Sequence, residues 1–330
     1  VENKGENKMP VTINEISFGI EIETVGRTRN EVANAIKSVV GGTVEQSSFD
    51  VYRVIDACGK IWNVVADGSL TNVPAHLRAE IVSPILSYND ISLLQQVVRA
   101  VRHIGSKCDE RCGIHLHMSH PQVTPKALAN LAKTIYKQEE LIYAALGVTQ
   151  ARMARYCKPM NTAFIERITR STPKTFETLN RQWYGQYNAT PRRYDSSRYA
   201  ILNLNAFFLR GAVEVRAYAG SLHAGKVKAA IQFSMALFTK ALNTQAASTK
   251  KRKYDPASAK YDFRVFLISS LGMNGDEFKS ARKHLLELMP GDSAFKYGRP
   301  EKKVKGKKTE EMTEIVEITE TGAEMLQSSL

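Results

Sequence analysis

The strongest constraint on this chain is a two-residue alternation that recurs in short apolar segments and sets acidic, imidazole and amide side chains on one side. At residues 16–25, Phe18, Ile20 and Ile22 alternate with Gly19, Glu21 and Glu23. Successive side chains of a strand point to opposite faces, so the segment predicts a strand with an apolar back and a carboxylate front. The device appears four more times. Glu80 stands between apolar neighbours at 79–83, and His115 and His117 alternate with Ile114 and Leu116 at 113–119. Asn203 and Asn205 alternate with Leu202, Leu204 and Ala206 at 200–207, and Glu214 and Arg216 with Val213, Val215 and Ala217 at 212–218. Any one pair reads most simply as the polar front of a half-exposed strand. Five together point to a shared hollow.

Between these segments the apolar spacing turns helical. Helices are expected at 30–40, stopped by Gly41-Gly42, at 90–104, and at 124–147, opened by Thr124-Pro125. Others are expected at 162–182, broken by Pro173, and at 224–243, 261–271 and 276–288. Two further strands, 49–55 and 60–66, flank the turn Asp56-Ala57-Cys58-Gly59. Hairpin-length gaps between strands, with helices interspersed, predict an α+β fold on a largely antiparallel sheet. Residues 1–15 read as an N-terminal arm, 16–290 as the folded body, and 291–330 as a charged, flexible tail. Neither a dinucleotide fingerprint nor a P-loop occurs.

The chain carries 46 Lys+Arg against 33 Asp+Glu, a formal charge of +13, and its 43% hydrophobic content excludes wholesale disorder. The excess is concentrated: residues 151–216 hold twelve Lys+Arg and four Asp+Glu. That suits a polyanionic partner, nucleotide phosphate or nucleic acid, and equally a solvated basic face. Arg192, Arg193 and Tyr194, near Trp183, Tyr184 and Tyr187, interleave cations with rings as single-strand binders do, and Lys250–Lys253 adds a basic run. No apolar stretch approaches the roughly 20 residues that span a bilayer, so no membrane partner is expected. The polar residues 1–10 lack a signal core, and the four cysteines are too few and scattered for a disulfide framework; a cytoplasmic location is expected.

Converging carboxylates repel one another unless a proton or cation neutralises them. Oxygen ligands with an occasional imidazole favour Mg²⁺ or Mn²⁺. Cys108, Cys112, His115 and His117 form an alternative zinc set, although His-x-His on a strand departs from the usual helical pair.

Five strings occur in order: Phe18-Gly19-Ile20-Glu21-Ile22-Glu23, Asp67-Gly68-Ser69-Leu70, Glu80-Ile81-Val82-Ser83-Pro84, Gly113-Ile114-His115-Leu116-His117 and Val213-Glu214-Val215-Arg216. With Arg152 or Arg155 beside Tyr156, and Arg198-Tyr199-Ala200-Ile201-Leu202-Asn203, the set resembles the amidoligase family, relatives of glutamine synthetase and glutamate–cysteine ligase among carboxylate–amine ligases. The resemblance covers residues 16–247. It implies that the body, 16–290, is a catalytic domain with a curved, largely antiparallel, glutamine synthetase-like sheet and helices on one face. It also implies a cleft in which ATP phosphorylates a carboxylate and an amine then displaces the phosphate.

On that footing Glu21, Glu23, Glu80, His117 and Glu214 are expected ligands of Mg²⁺ or Mn²⁺, and His115 a ligand or phosphate contact. Arg216 would face the phosphoryl or acyl-phosphate oxygens, Arg155 would be a second anion clamp, and Asp67 would orient or deprotonate the amine. Asn203 and Asn205 would position substrate or nucleotide. Plainer readings stand beside these: Arg216 as a cross-strand partner, Arg155 as a solvated helix residue, Asp67-Gly68 as an ordinary turn. The partners implied are a carboxylate donor and an amine acceptor, each a small molecule, a peptide or a modified macromolecule. Two rival functions are a phosphotransferase on the same scaffold and a basic, nucleic-acid-associated binding protein.

Overall fold

The alternation at the N-terminal end becomes β1 (Ser17–Val25), which lies in the middle of a single eight-stranded sheet. The other strands are β2 (Thr43–Ser48), β3 (Val51–Ile55), β4 (Ile61–Val65), β5 (Arg78–Val82), β6 (Gly113–Ser119), β7 (Leu202–Asn203) and β8 (Val213–Ala219). Their order is β2-β3-β4-β5-β1-β6-β8-β7, every pairing is antiparallel, and the sheet is open. This computed structural model describes residues 9–300; residues 1–8 of the expected arm and 301–330 of the expected tail lie outside the described residues.

The helices are α1 (Arg29–Val40), α2 (Ile91–His103), α3 (Pro125–Leu146), α4 (Gln150–Arg155), α5 (Thr162–Arg170), α6 (Phe176–Tyr184), α7 (Asn205–Arg210), α8 (Ala224–Asn243), α9 (Ala259–Val265) and α10 (Lys279–Leu286), with a π-helical turn at Phe266–Ser270. Their ends follow local chemistry. Thr28 and Glu31 form a reciprocal capping box at the start of α1. Thr124 caps α3 ahead of Pro125, and Gly147, at φ 61°, ends it in a left-handed conformation. The interruption expected at Pro173 separates α5 from α6. No described helix is long and apolar enough to cross a membrane.

One face of the sheet is the core. Phe18, Ile20 and Ile22 of β1 and Leu116 and Met118 of β6 are buried there. Burying each such side chain contributes about 1.5–3 kcal/mol. α1 rests on β3 and β4, α8 on β6, and α3 on β8; α2 bridges α1 and α8, and α10 covers α8. The opposite face carries the polar partners of these residues and is walled by the segment between α3 and β8.

A bulge in β8 serves both faces. His117 pairs with Glu214 and Leu116 with Val215, but Ile114 pairs with Tyr218, so the register slips between Ile114 and Leu116. The extra residue opposite His115 leaves Glu214 and Arg216 on the polar face and turns Tyr218 towards α8, where its hydroxyl meets Ser234 Oγ at 2.6 Å.

Two strands differ from the sequence expectation. β2 is a strand that its mostly exposed residues gave no apolar period to reveal. The strand expected at 200–207 is only two residues long, because Asn203 Oδ1 accepts from Ala206 N at 3.2 Å and the chain turns into α7.

Candidate active site

The sheet register assembles the polar side chains. Across β1 and β5, Glu23 lies opposite Glu80; across β1 and β6, Glu21 lies opposite His115; across β6 and β8, His117 lies opposite Glu214. Directly opposed pairs have Cβ atoms about 4.5–5.5 Å apart, so four strands deliver one cluster. His115 Nδ1 is 3.1 Å from Glu21 Oε2, and His117 Nε2 is 3.2 Å from Glu21 Oε1. His115 Nε2 is 3.8 Å from Glu23 Oε1 and its Nδ1 3.7 Å from Glu214 Oε1.

Two groups of ligand atoms result, with Glu21 common to both. Glu21, Glu80 and His115 each bring an atom within 4.8 Å of the others, and so do Glu21, His117 and Glu214. The buried His117 Nε2 makes no hydrogen bond despite its closeness to Glu21. An imidazole nitrogen and a carboxylate oxygen in that relation fit a shared cation. The donor set is oxygen with imidazole and no thiolate, which suits Mn²⁺ or Mg²⁺. The zinc alternative does not form: Cys108 Sγ faces the Glu23 carbonyl at 3.3 Å, and neither candidate cluster among the described residues includes a cysteine.

The electrostatics divide the carboxylates. Burial alone would raise Glu21, yet the His115 hydrogen bond and the nearby His115 and His117 imidazoles outweigh it and hold its carboxyl below the usual range. Glu214 is also buried, and Arg216, His115 and His117 together hold it low. Burial and the Asp67 charge push Glu23 up to about 8, while burial and the charges of Glu21, Glu23 and Asp67 raise Glu80 well above its ordinary value. Burial and the Arg216 charge lower His115. Each uncompensated buried ion costs several kcal/mol, so in the absence of a cation the protonated forms of Glu23 and Glu80 are favoured over their ordinary balance.

The floor opens into a cleft of about 360 Å³, whose lining includes Glu21, Glu23, Asp67, Glu80, His115 and Arg216. Glu214 and His117 sit just behind that lining. Glu214 is fixed from two sides, by Arg216 Nη1 and by Asn203 Nδ2, the latter at 2.5 Å. Glu23 Oε2 accepts from Gly113 N at 2.6 Å. A Cβ on Gly113 would stand 3.0 Å from Arg152 Nη2 and 3.2 Å from His115 Nε2, so the absence of a side chain permits this close packing. Asp67 is held at the mouth by Ser69 N and Oγ, both at 2.7 Å.

Two expected contacts are corrected. Arg155 is exposed on α4 and does not line the cleft. Arg152, one helical turn earlier, lines it instead, donating to the carbonyls of Arg111, Cys112 and Tyr218. Asn205 does not share a face with Asn203. It opens α7, buried, with Tyr184 Oη at 2.5 Å and the Arg192 carbonyl at 3.1 Å, because the strand ends before it. Neither asparagine lines the cleft; Asn203 acts on it through Glu214. Sequence reasoning missed Arg111 and Arg210, which also line the cleft; the position of Arg111 just ahead of β6 was the only signal for it.

The site is an acidic, imidazole-bearing floor beneath a wall of arginines. Residues 14–238 match the model of a family described as "Putative amidoligase enzyme", and the chain belongs to this family. No curated protein matches it. Among solved structures, a bifunctional glutathione synthetase from Pasteurella multocida is similar over 84% of this chain at 11% identity, with a TM-score of 0.41. The chain spans about half of that structure's length, 47%.

Proposed function

We propose that this chain is an ATP-dependent carboxylate–amine ligase that works through an acyl phosphate. The observation that carries the reading is the convergence of Glu21, Glu80, Glu214, His115 and His117 on one sheet face below Arg216, in a chain of the amidoligase family. A donor carboxylate oxygen attacks the γ-phosphorus of ATP and ADP leaves. The amine nitrogen then attacks the acyl carbon, phosphate leaves and the amine gives up a proton.

Glu21, Glu80 and His115 would hold one Mg²⁺ or Mn²⁺, and Glu21, His117 and Glu214 a second. Bound cations supply neutralisation of the charge that gathers on phosphoryl oxygens. The chain's own residues do the rest. Arg216 gives Nη1 to Glu214 and Nε to the Tyr156 carbonyl, leaving Nη2 for a phosphoryl or acyl-phosphate oxygen. Asp67, fixed by Ser69 at the mouth, would take the proton from the incoming amine. Arg152 clamps the end of β6 to that of β8 and keeps the floor rigid.

The test is a turnover screen with ATP, Mn²⁺ and pooled amino acids, polyamines and peptides, read by mass spectrometry. Amine-dependent release of ADP and phosphate in equal amounts is expected. Release of ADP without free phosphate would instead indicate a phosphotransferase. Glu21→Gln should lower ADP release by about 100-fold or more with an unchanged circular dichroism spectrum; a wild-type rate would overturn the metal assignment. Glu214→Gln is the weaker probe, since breaking a buried pair of this kind costs about 3–5 kcal/mol.

A further inference from the structure

From the acidic floor to the surface, the cleft wall is a column of alternating guanidinium groups and rings. Arg216 lies over Tyr199, 6.0 Å from its centroid; Arg198 lies over Tyr199 at 5.6 Å and over Tyr194 at 5.3 Å; Arg193 lies over Tyr194 at 5.5 Å. The column begins at Arg216, 4% exposed, and its outer ring, Tyr194, is 71% exposed. Stacking on a ring orients a guanidinium while leaving its N–H edge free to donate. Two other cleft arginines already hold acids: Arg111 pairs with Asp109, and Arg216 with Glu214. Among the described residues Arg193, Arg198 and Arg210 show no such pair, although all three line the cleft.

Resting on the ligase reading above, we propose that the carboxylate donor is an acidic peptide. Its reacting carboxylate enters the floor, and neighbouring carboxylates along the peptide bind Arg198 and Arg193 in series. Successive guanidinium groups are separated by one ring, a step that roughly two to three extended residues span. Carboxylate forks match guanidinium edges bidentately. A single-stranded nucleic acid would need open ring faces on which to stack its bases. Of the two column rings, Tyr199 is half-buried and carries Arg198 and Arg216, which leaves Tyr194, 71% exposed beside Arg193 and Arg198, as a single platform rather than the series that successive bases need. The column also leads to the site where a carboxylate must react, so its occupant is the substrate itself.

The experiment is equilibrium binding of fluorescently labelled hexaglutamate to the full chain without ATP, by anisotropy at low salt. Hexaglutamate should bind and hexaglutamine should not. The double variant Arg193→Gln/Arg198→Gln should weaken binding about tenfold or more and flatten its salt dependence, and Tyr194→Leu should weaken it about threefold. Lys37→Gln/Arg99→Gln, an equal loss of two charges from exposed positions of α1 and α2 across the sheet, should bind as wild type. Wild-type affinity in the double variant would overturn the proposal. Tighter binding of oligothymidylate than of hexaglutamate would reassign the column to nucleic acid, and complete displacement of the peptide by ATP alone would reassign it to the triphosphate. Because this readout needs no turnover, it separates failure of the peptide assignment from failure of the ligase reading, which the Glu21→Gln rate decides.

Discussion

Glu214 shows how a buried carboxylate is held in one orientation. Asn203 Nδ2 holds Oε2 and Arg216 Nη1 holds Oε1, so the side chain is aimed by partners that do not themselves reach the neighbouring imidazoles. Losing such an orienting partner typically lowers metal affinity about 10- to 100-fold. Asn203→Ala should therefore weaken Mn²⁺ binding by that factor in isothermal titration, with little change in the peptide anisotropy; an unaltered Mn²⁺ affinity would show that Arg216 alone suffices. The asparagine segment also marks a limit of period-two reading. Leu202-Asn203-Leu204-Asn205 alternates as cleanly as β6, but a side-chain amide accepting from a backbone N–H three residues on can divert a strand into a helix, and alternation carries no sign of it. Arg152 and Arg155 pose a similar problem. Their spacing is the same in the sequence whichever of the two turns inward, and only the carbonyls of Arg111, Cys112 and Tyr218 decide.

Among the elements, β1, β6 and β8 were legible because each buries one face under helices and must alternate. β2 escaped because it buries almost nothing, so its pairing with β3 leaves no mark on residue type. The bulge in β8 was also hidden, although it decides where Tyr218 points. The basic run at 250–253 is partly engaged by acids of the same chain. Lys251 bonds Glu139 Oε2 at 3.0 Å and lies 4.4 Å from the Tyr136 centroid, while Arg252 reaches Asp262 at 2.7 Å. This connection therefore straps α3 to α9. Glu139, 3% exposed, also accepts from Met160 N at 2.6 Å. Glu139→Gln should lower unfolding stability by about 1–3 kcal/mol, measured as a fall in denaturant midpoint at constant slope; no change would mean that the strap is held by Arg252 and the ring contact.

At the scale of the molecule, the proposed metal site would couple cation binding to protons and to folding. In the cation-free fold Glu23 keeps its proton up to about 8, and Glu80 is raised as well, whereas an unfolded chain releases both near the ordinary 4.5. The folded state thus binds more protons between those limits, and its stability falls as pH rises through that window. A divalent ion replaces the protons. The rise in melting temperature on adding Mn²⁺ should therefore be larger at pH 8 than at pH 6, by a few °C on the order expected for a chain of this size, in a thermal scan. An equal rise at both pH values would show that the cation does not compete with the protons on these two carboxylates.

The C-terminal helices bear on what a matched region means. α8 packs Phe233 against Phe263 of α9, ring centroids 5.8 Å apart, and α10 lies along it, yet the family match stops at 238, before either partner begins. Evolutionary bookmarks and the physical seams of a protein need not coincide. A gene trimmed at the former would yield a sticky fragment with its greasiest helix bared to water.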